Sequence, residues 1–295
     1  MTVPASAPIP PAQQRPSRAT PARAGRRTPD AASLRRVPLP PVDADLLATA
    51  TEIAGEAAAF VRDRFHADDS NIELKRDGSE VTDADRGAEA LVRARVLEHY
   101  PDDTVIGEEA GTTTGTSGRR WIVDPIDGTA SFVRRVPLFS TLLAVFDEHG
   151  PAVGIVAIPA LEEFVVAGRG RGCTHNGHPT RVSDITELEA ACVSSSAFDG
   201  SWWPEAPLLN IANSGAKTRT WGDGYGYFLV ATGRIEAMLD PSLNTWDIAP
   251  MLVVIPEAGG TLTTWTGTTD LTQGAGWLAS NGHLHDDLLE LVRPG

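Results

Sequence analysis

Hydrophobic residues recur at helical spacing in two segments of the first hundred residues. In segment 43–65, apolar side chains return every three or four positions and charges fill the other face, which predicts an amphipathic helix. A second helix is predicted from an N-cap at Thr82 or Asp83 to about Tyr100. Further along, apolar runs between turn residues predict antiparallel strands at 142–146, 153–158 and 164–167.

The last third of the chain alternates between the two kinds of element. Apolar runs predict strands at 190–195, 235–239 and 277–280. Helices are predicted from Tyr225 to a closing Gly233, from about Thr245, and after Gly282. This pattern indicates an α+β protein, and 295 residues are enough for one large domain or two layered halves that meet near residue 180.

The stretch 121–129, WIVDPIDGT, carries the clearest chemical signal. Trp-Ile-Val is typical of the end of a buried strand, and the residue before Pro125 is pushed towards a turn. Asp124 and Asp127 can then converge on one point. Such carboxylates repel one another unless a cation lies between them, and oxygen ligands favour Mg²⁺ or Mn²⁺. The alternative is an acidic surface turn.

Three other acids lie at the ends of predicted elements. Asp85 and Asp247 fall in the first turn of a predicted helix, and Glu108 follows a short apolar strand ahead of its less certain neighbour Glu109. Each position also has a purely structural explanation, because helix N-termini favour negative charge and Gly-Glu-Glu is common on surfaces. Asp85 is nevertheless a candidate to accept a proton from a hydroxyl group or a water.

Charge is distributed unevenly along the chain. The formal net charge is −14, yet residues 1–42 contain seven arginines and only one acid. This Pro-, Ala- and Arg-rich segment has too few large apolar residues to pack and is predicted to be disordered. The acidic domain 43–295 argues against nucleic acid as a partner, which leaves the basic tail as the only candidate for such contact.

The cysteine count and the lengths of the apolar runs bear on the cellular compartment in which the protein is expected. Cys173 and Cys192 are too few for a disulfide framework, and no segment approaches the roughly 18 apolar residues that span a bilayer. We therefore expect a cytoplasmic protein without membrane contact.

Five motifs, in this order, make the chain similar to the inositol monophosphatase family over residues 43 to about 292. They are Val81-Thr82-x-Ala84-Asp85, Gly107-Glu108-Glu109, DPIDGT at 124–129, Trp246-Asp247-Ile248-Ala249 and Glu257-Ala258-Gly259-Gly260. The pairing of DPIDGT with a downstream WDxA is highly specific. Two departures, Ala130-Ser131 and Pro250, remove no ligand but could reshape the pocket.

The resemblance implies a layered αβαβα sandwich and Mg²⁺-dependent hydrolysis of a phosphomonoester by a metal-activated water. Two or three ions are expected, and Mn²⁺ is a possible substitute. The implied metal ligands are Glu108, Asp124, the carbonyl of Ile126, Asp127 and Asp247. Thr129 and Asp85 would activate the water. The backbone N–H groups of Gly128 and Thr129 would hold phosphate oxygens.

Segment 221–234, with its Gly-Asp-x-Tyr-Gly-Tyr pattern, resembles the histidinol-phosphatase branch of the family. Asp223 would then face a substrate amine or imidazole, and Asp240 falls where the family contacts the alcohol. Their structural alternatives are a helix N-cap and a turn before Pro241. The expected substrate is L-histidinol phosphate, in histidine biosynthesis. Inositol 1-phosphate, fructose 1,6-bisphosphate and adenosine 3′,5′-bisphosphate stay open.

A non-catalytic relative that only binds a metal or a ligand is the main alternative of another class. Loss of a metal-binding acid or of Thr129 would favour it, and all are present. Members of this family are often dimeric, so a homodimer is expected.

Overall fold

The computed structural model describes residues 39–67, 71–74, 80–198, 200, 202–271 and 276–293. The helices are α1 (Ala44–Ala67), α2 (Asp83–His99), α3 (Thr129–Val133), α4 (Glu205–Asn213), α5 (Asp223–Ala231), α6 (Thr245–Ile248), α7 (Met251–Glu257) and α8 (His285–Val292). Short 3₁₀ helices lie at Pro159–Leu161 and Leu188–Ala190. The predicted tail lies outside the described residues up to position 38. Of its last four residues, Val42 is buried, and its N–H donates to the Arg169 carbonyl at 2.9 Å.

The strands form two large sheets and a small two-stranded one. The strands are β1 (Ile72–Leu74), β2 (Glu80–Thr82), β3 (Thr104–Gly107), β4 (Gly111–Thr113), β5 (Arg120–Asp127), β6 (Ser140–Asp147), β7 (Gly150–Ile158), β8 (Glu163–Gly168), β9 (Gly172–His175), β10 (His178–Pro179), β11 (Cys192–Ser194), β12 (Lys217–Arg219), β13 (Ala237–Asp240), β14 (Thr261–Thr264) and β15 (Trp277–Ser280). The first large sheet has the order β10-β9-β8-β7-β6-β5-β3-β4, and the second has the order β12-β11-β13-β15-β14. β3 and β5 are parallel, whereas β5 to β8 are antiparallel neighbours.

Adjacent strand residues show how the layers stack, because successive side chains point to opposite faces of a sheet. In β7, Ile155 packs with residues of α1, while Val156 packs with residues of α5 and α7. In β13, Met238 joins that same central core, while Leu239 packs with α4 and α8. The order of layers is therefore helices, sheet, helices, sheet, helices, which confirms the predicted αβαβα sandwich.

The local predictions are confirmed for the first two helices and for the strands at 142–146, 153–158 and 164–167. One strand has no counterpart among the predicted elements, because Gly111–Thr113 forms β4 and pairs with β3. Within the described ranges, no helix combines the length and the apolar character needed to cross a membrane.

The predicted turn at Asp124 is wrong, because β5 continues to Asp127. The register of its pairing with β6 shifts between Asp124 and Asp127, which marks a β-bulge. A bulge tolerates Pro125, which has no N–H for the ladder. The Thr141 hydroxyl donates to the Pro125 carbonyl at 2.8 Å and satisfies it. The bulge delivers both carboxylates to one edge of the sheet.

We predict that Ile155→Ala lowers the free energy of unfolding by about 2–5 kcal/mol, because Ile155 is fully buried between α1 and the first sheet. Urea denaturation at equilibrium measures the change. Ile72→Ala is the matched control, since that side chain is exposed and its loss should cost less than about 0.5 kcal/mol. Equal losses in the two variants would contradict the described core.

Candidate active site

Three carboxylates meet where the bulge of β5 lies near the start of α6. One oxygen from each of Asp124, Asp127 and Asp247 lies within 4.8 Å of the others. Asp247 is held in place by the first turn of its helix, where the Asn244 N–H donates to its Oδ2 at 2.7 Å. Asp124 and Asp127 converge as their spacing predicts, and Asp247 joins them from a distant part of the sequence.

Burial and mutual repulsion both raise the pKa values of this group. The pKa values of Asp124 and Asp127 lie well above the ordinary range, first because both are buried and then because neighbouring carboxylates repel their negative charge. Burial likewise raises the pKa of Asp247 to about 6. The buried Oδ1 of Asp124 has no hydrogen-bond partner among the described residues. A group of acidic oxygens with an orphaned ligand atom fits a hard cation.

The other two predicted ligands lie beside this cluster. Glu108 follows β3, and its N–H donates to the Val123 carbonyl at 3.3 Å, next to Asp124. A hydrogen bond with Glu108 and its charge are among the causes that raise the pKa of Asp124. The Ile126 carbonyl lies in the bulge and accepts a bond from the Thr129 hydroxyl at 2.9 Å.

Asp85 and Thr129, the predicted catalytic pair, are brought together from α2 and α3. The Thr129 hydroxyl lies 3.4 Å from Asp85 Oδ1, a long contact, while Asp85 Oδ2 accepts from the Thr82 N–H and hydroxyl at 2.8 and 2.6 Å. Thr82 is the N-cap of α2. Burial is the main cause of the raised pKa of Asp85, which makes this carboxylate a better proton acceptor than an exposed aspartate.

Gly128 precedes α3 in the left-handed conformation, with φ of +80°, which glycine adopts without strain. Its position turns the chain sharply from β5 into α3, so the Gly128 and Thr129 peptides follow directly on the two aspartates of the bulge. The predicted phosphate contacts thus lie at the edge of the acidic cluster.

A cavity of about 170 Å³ opens beside the carboxylates. Its walls include Asp127 and Asp247 of the cluster together with Ser196, Trp202, Asp223, Gly224, Tyr227, Ser242 and Leu243. A larger groove of about 300 Å³ lies between α1 and β8 and contains none of the clustered acids. The smaller cavity is therefore the one that the site chemistry can use.

Asp223 lies in the wall of this cavity, at the first residue of α5, two residues before the predicted start of that helix. The N-cap is Gly222, without a side-chain cap bond, so the N-cap alternative for Asp223 does not apply. Its φ is +54°, and its N–H donates to the Ser196 hydroxyl at 2.9 Å. A Cβ on Gly128 would lie 2.9 Å from Asp223 Oδ2. The carboxylate therefore projects towards the edge of the acidic cluster, and burial raises its pKa.

Asp240 is fully buried at the end of β13, outside the residues that line the cavity. Its oxygens accept hydrogen bonds from Ser195 Oγ at 3.2 Å, from the Ser196 N–H at 3.0 Å and from the Tyr227 hydroxyl at 3.2 Å. Burial raises its pKa to about 7. Asp240 thus supports two cavity residues, Ser196 and Tyr227, from behind.

The sequence motifs did not reveal the groups that orient Asp127. Its Oδ2 accepts bonds from the Ser140 hydroxyl and from the Gly224 N–H, both at 2.5 Å. A side chain at Gly224 would overlap Ser140 and Asp127. The only sequence signal was the glycine beside Asp223, and nothing marks Ser140 except its place before an apolar strand.

We predict that Asp240→Asn makes stability less dependent on pH. Because the folded-state pKa is raised, Asp240 stabilises the fold most below its unfolded pKa of about 4, and this contribution is lost as the pH rises through about 7. Urea unfolding in EDTA at pH 5 and pH 8 measures the effect. At pH 8, the free energy of unfolding of the variant should exceed that of the native chain by at most about 4 kcal/mol. An unchanged pH dependence would contradict a protonated Asp240.

Comparison with known proteins assigns this site to a family. The inositol monophosphatase family profile matches residues 43–294. A histidinol-phosphatase of Mycobacterium tuberculosis is 38% identical over 260 residues, which cover 85% of this chain and 99% of that protein. A histidinol-phosphatase of Streptomyces coelicolor is 38% identical over 258 residues, which cover 83% and 96%.

A solved structure agrees with these sequence matches. The structure of a Thermotoga maritima IMPase superposes with a TM-score of 0.76 at 29% identity and covers 84% of this chain and 96% of its own. The fold, the acidic cluster and the sequence matches lead to one conclusion. The chain belongs to the inositol monophosphatase family.

Proposed function

We propose that the protein hydrolyses L-histidinol phosphate to L-histidinol and phosphate with the help of bound Mg²⁺. Membership of the inositol monophosphatase family makes the chain a phosphomonoesterase. The observation that carries the choice of substrate is the Asp223 carboxylate in the wall of the cavity beside the acidic cluster. The relatives named histidinol-phosphatase support the same choice.

The proposed ligands of the cation are Glu108, Asp124, the Ile126 carbonyl, Asp127 and Asp247. Their oxygen donors and the orphaned Oδ1 of Asp124 suit Mg²⁺. Bound cations would neutralise the phosphate and make a nearby water more acidic. Two or three ions are proposed, and Mn²⁺ should be able to replace Mg²⁺ because it accepts the same donors.

The chain's own residues would hold the reacting groups and move the proton. The Thr129 hydroxyl lies between Asp85 Oδ1 and the Ile126 carbonyl, so it can orient a water at the end of β5. Asp85 can take the proton of that water through Thr129, and its raised pKa favours the protonated product of this step. The N–H groups of Gly128 and Thr129 would hold the phosphate oxygens.

The walls of the cavity suit the histidinol part of the substrate. L-Histidinol carries an ammonium group, and an ionised Asp223 would bind it in a charge-assisted hydrogen bond. Trp202 and Leu243 give the cavity apolar walls that a flat imidazole ring can contact. Inositol 1-phosphate carries only hydroxyl groups on its ring and would gain less from the negative charge of Asp223.

The remaining expectations from the sequence stay predictions. We propose that the protein acts as a homodimer in the cytoplasm and binds neither nucleic acid nor membranes. Light scattering of the purified full chain tests the dimer directly.

We predict that Asp223→Asn lowers kcat/KM for L-histidinol phosphate about 10- to 100-fold, because a hydrogen bond to a charged group is worth about 1.5–3 kcal/mol. Inositol 1-phosphate hydrolysis should change less than threefold. Phosphate release with saturating Mg²⁺ measures both. Asp287→Asn, at an exposed position of α8, is the matched control and should change neither rate. Equal losses on the two substrates, or a native preference for inositol 1-phosphate, would contradict the proposed role of Asp223.

We predict that Asp85→Asn lowers kcat about 10²- to 10⁴-fold, the range of general acid–base catalysis. Its KM should stay within about threefold, because Asp85 lies against Thr129 rather than in the wall of the substrate cavity. Thr129→Val should also lower kcat by at least tenfold. Steady-state kinetics on L-histidinol phosphate, with far-ultraviolet circular dichroism to confirm folding, provide the measurement. A folded Asp85→Asn variant with native kcat would exclude this carboxylate as the proton acceptor.

A further inference from the structure

Glu89 is a buried carboxylate that lies next to the acidic cluster without belonging to it. It is 1% exposed and lies on α2, one helical turn after Asp85. The spacing of four residues places the two acids on the same face of the helix. Asp85 points to Thr129, whereas Glu89 faces the turn that follows β3 and contains Glu108.

The carboxylate of Glu89 binds the backbone of that turn. The Glu109 N–H donates to Oε2 at 2.7 Å, and the Ala110 N–H donates to Oε1 at 3.0 Å. The same Oε1 accepts a bond from Arg93 Nε at 2.7 Å. The two oxygens of one carboxylate thus accept from three donors.

These bonds help to fix the backbone from which the Glu108 side chain extends. The peptide on the N-terminal side of Glu108 is held by its own N–H, which donates to the Val123 carbonyl of β5 at 3.3 Å. The peptide on the C-terminal side is held by the bond from the Glu109 N–H to Glu89. With both flanking peptides fixed, the φ and ψ angles of Glu108 are fixed as well, and so is the direction in which Cβ leaves the backbone. The Glu108 carboxylate lies within hydrogen-bond reach of Asp124.

The residue before Glu108 shows how closely Glu89 approaches this backbone. A Cβ on Gly107 would overlap the carboxylate of Glu89. Gly107 has no positive φ among the described residues, so the glycine is required by this close approach and not by an unusual conformation. Glu89 of α2 therefore packs against the backbone of the Gly-Glu-Glu motif and restricts which residue can precede Glu108.

Arg93 forms an ion pair with Glu89 and connects it to the next strand. The Arg93 side chain is 13% exposed and pairs with Glu89 at 2.7 Å. It also donates to the Val105 carbonyl at 3.3 Å, to the Thr113 hydroxyl at 3.0 Å and to the Gly111 carbonyl. β3, the turn and β4 are thus tied to α2 through one ion pair.

We propose that Glu89 is a positioning residue that holds Glu108 in the geometry for binding the cation. The proposal rests on the proposed metal-dependent function but not on the identity of the substrate. It assigns no contact between Glu89 and the cation or the substrate. Its effect should therefore appear in metal affinity, and only through Glu108.

The test is the dissociation constant for Mn²⁺, measured without substrate by isothermal titration calorimetry. Glu89→Gln keeps the volume of the side chain but has only one acceptor oxygen for three donors. We expect Mn²⁺ binding to weaken about 10- to 100-fold, the usual cost of losing a group that orients a metal ligand. Glu56→Gln is the matched control. It breaks the 2.9 Å ion pair between Glu56 of α1 and Arg95 of α2, which lies away from the site. This control should bind Mn²⁺ like the native chain.

A double-mutant cycle with Glu108→Gln separates positioning from general disruption. If Glu89 acts through Glu108, Glu89→Gln changes the Mn²⁺ affinity less than twofold once Glu108→Gln is present. If Glu89→Gln does not fold, Arg93→Lys takes its place, since lysine keeps the charge but loses the bonds to β3 and β4. It should weaken binding several-fold in the native background and less than twofold beside Glu108→Gln.

Two outcomes overturn the proposal. One is a native Mn²⁺ affinity in folded Glu89→Gln, and the other is the same loss of affinity with and without Glu108. A native chain that binds no Mn²⁺ at all would instead remove the proposed metal-dependent function, on which this inference rests. A chain that binds Mn²⁺ but ignores L-histidinol phosphate leaves the role of Glu89 intact.

Discussion

The close approach of three buried carboxylates is the constraint on which the rest of this structure depends. Asp124, Asp127 and Asp247 each present an oxygen within 4.8 Å of the others. Like charges at this distance in a buried site repel one another and raise one another's pKa values. A divalent cation between them would offset this repulsion. The arrangement is therefore stable with the carboxylates protonated or with a cation between them, and only the second state suits phosphate chemistry at neutral pH.

The layered fold holds these acids together against their repulsion. The bulge at the C-terminal end of β5 holds two of them, and α6 brings the third from the C-terminal half. Hydrogen bonds from Ser140 and Gly224 then orient Asp127. Since Gly224 follows Asp223 directly, one short segment of α5 contacts the acidic cluster and also lines the cavity beside it. In the proposed function, substrate recognition and metal binding therefore depend on the same turn of helix.

Motifs predicted the acids of the site, but the groups that orient them could not be found in the same way. Asp124 and Asp127 lie in a short local motif, and a few neighbouring residues are enough to predict a cation site there. Ser140, Gly224 and Glu89 act on partners 13, 97 and 20 residues away, and no local pattern encodes such pairings. The bulge was missed for a related reason. An Asp-Pro pair favours a turn locally, but pairing with β6 keeps the strand extended to Asp127.

The layers of the fold were predicted through the family resemblance, and periodicity alone supplied the elements. Long amphipathic segments such as α1 were clear because many residues share one pattern. The start of α5 was predicted two residues late. Asp223, its first residue, adopts a positive φ that its residue type does not predict. The burial of Asp240 depends on Ser195 and Tyr227, which reach it from other elements.

The most direct test of the account is anomalous diffraction from crystals of the full chain soaked in Mn²⁺. We predict at least one anomalous peak enclosed by the carboxylates of Asp124, Asp127 and Asp247, within about 2.0–2.5 Å of their oxygens. The peak should disappear or weaken strongly in Asp124→Asn. A clear map at saturating Mn²⁺ with no peak among these three residues would contradict the central claim.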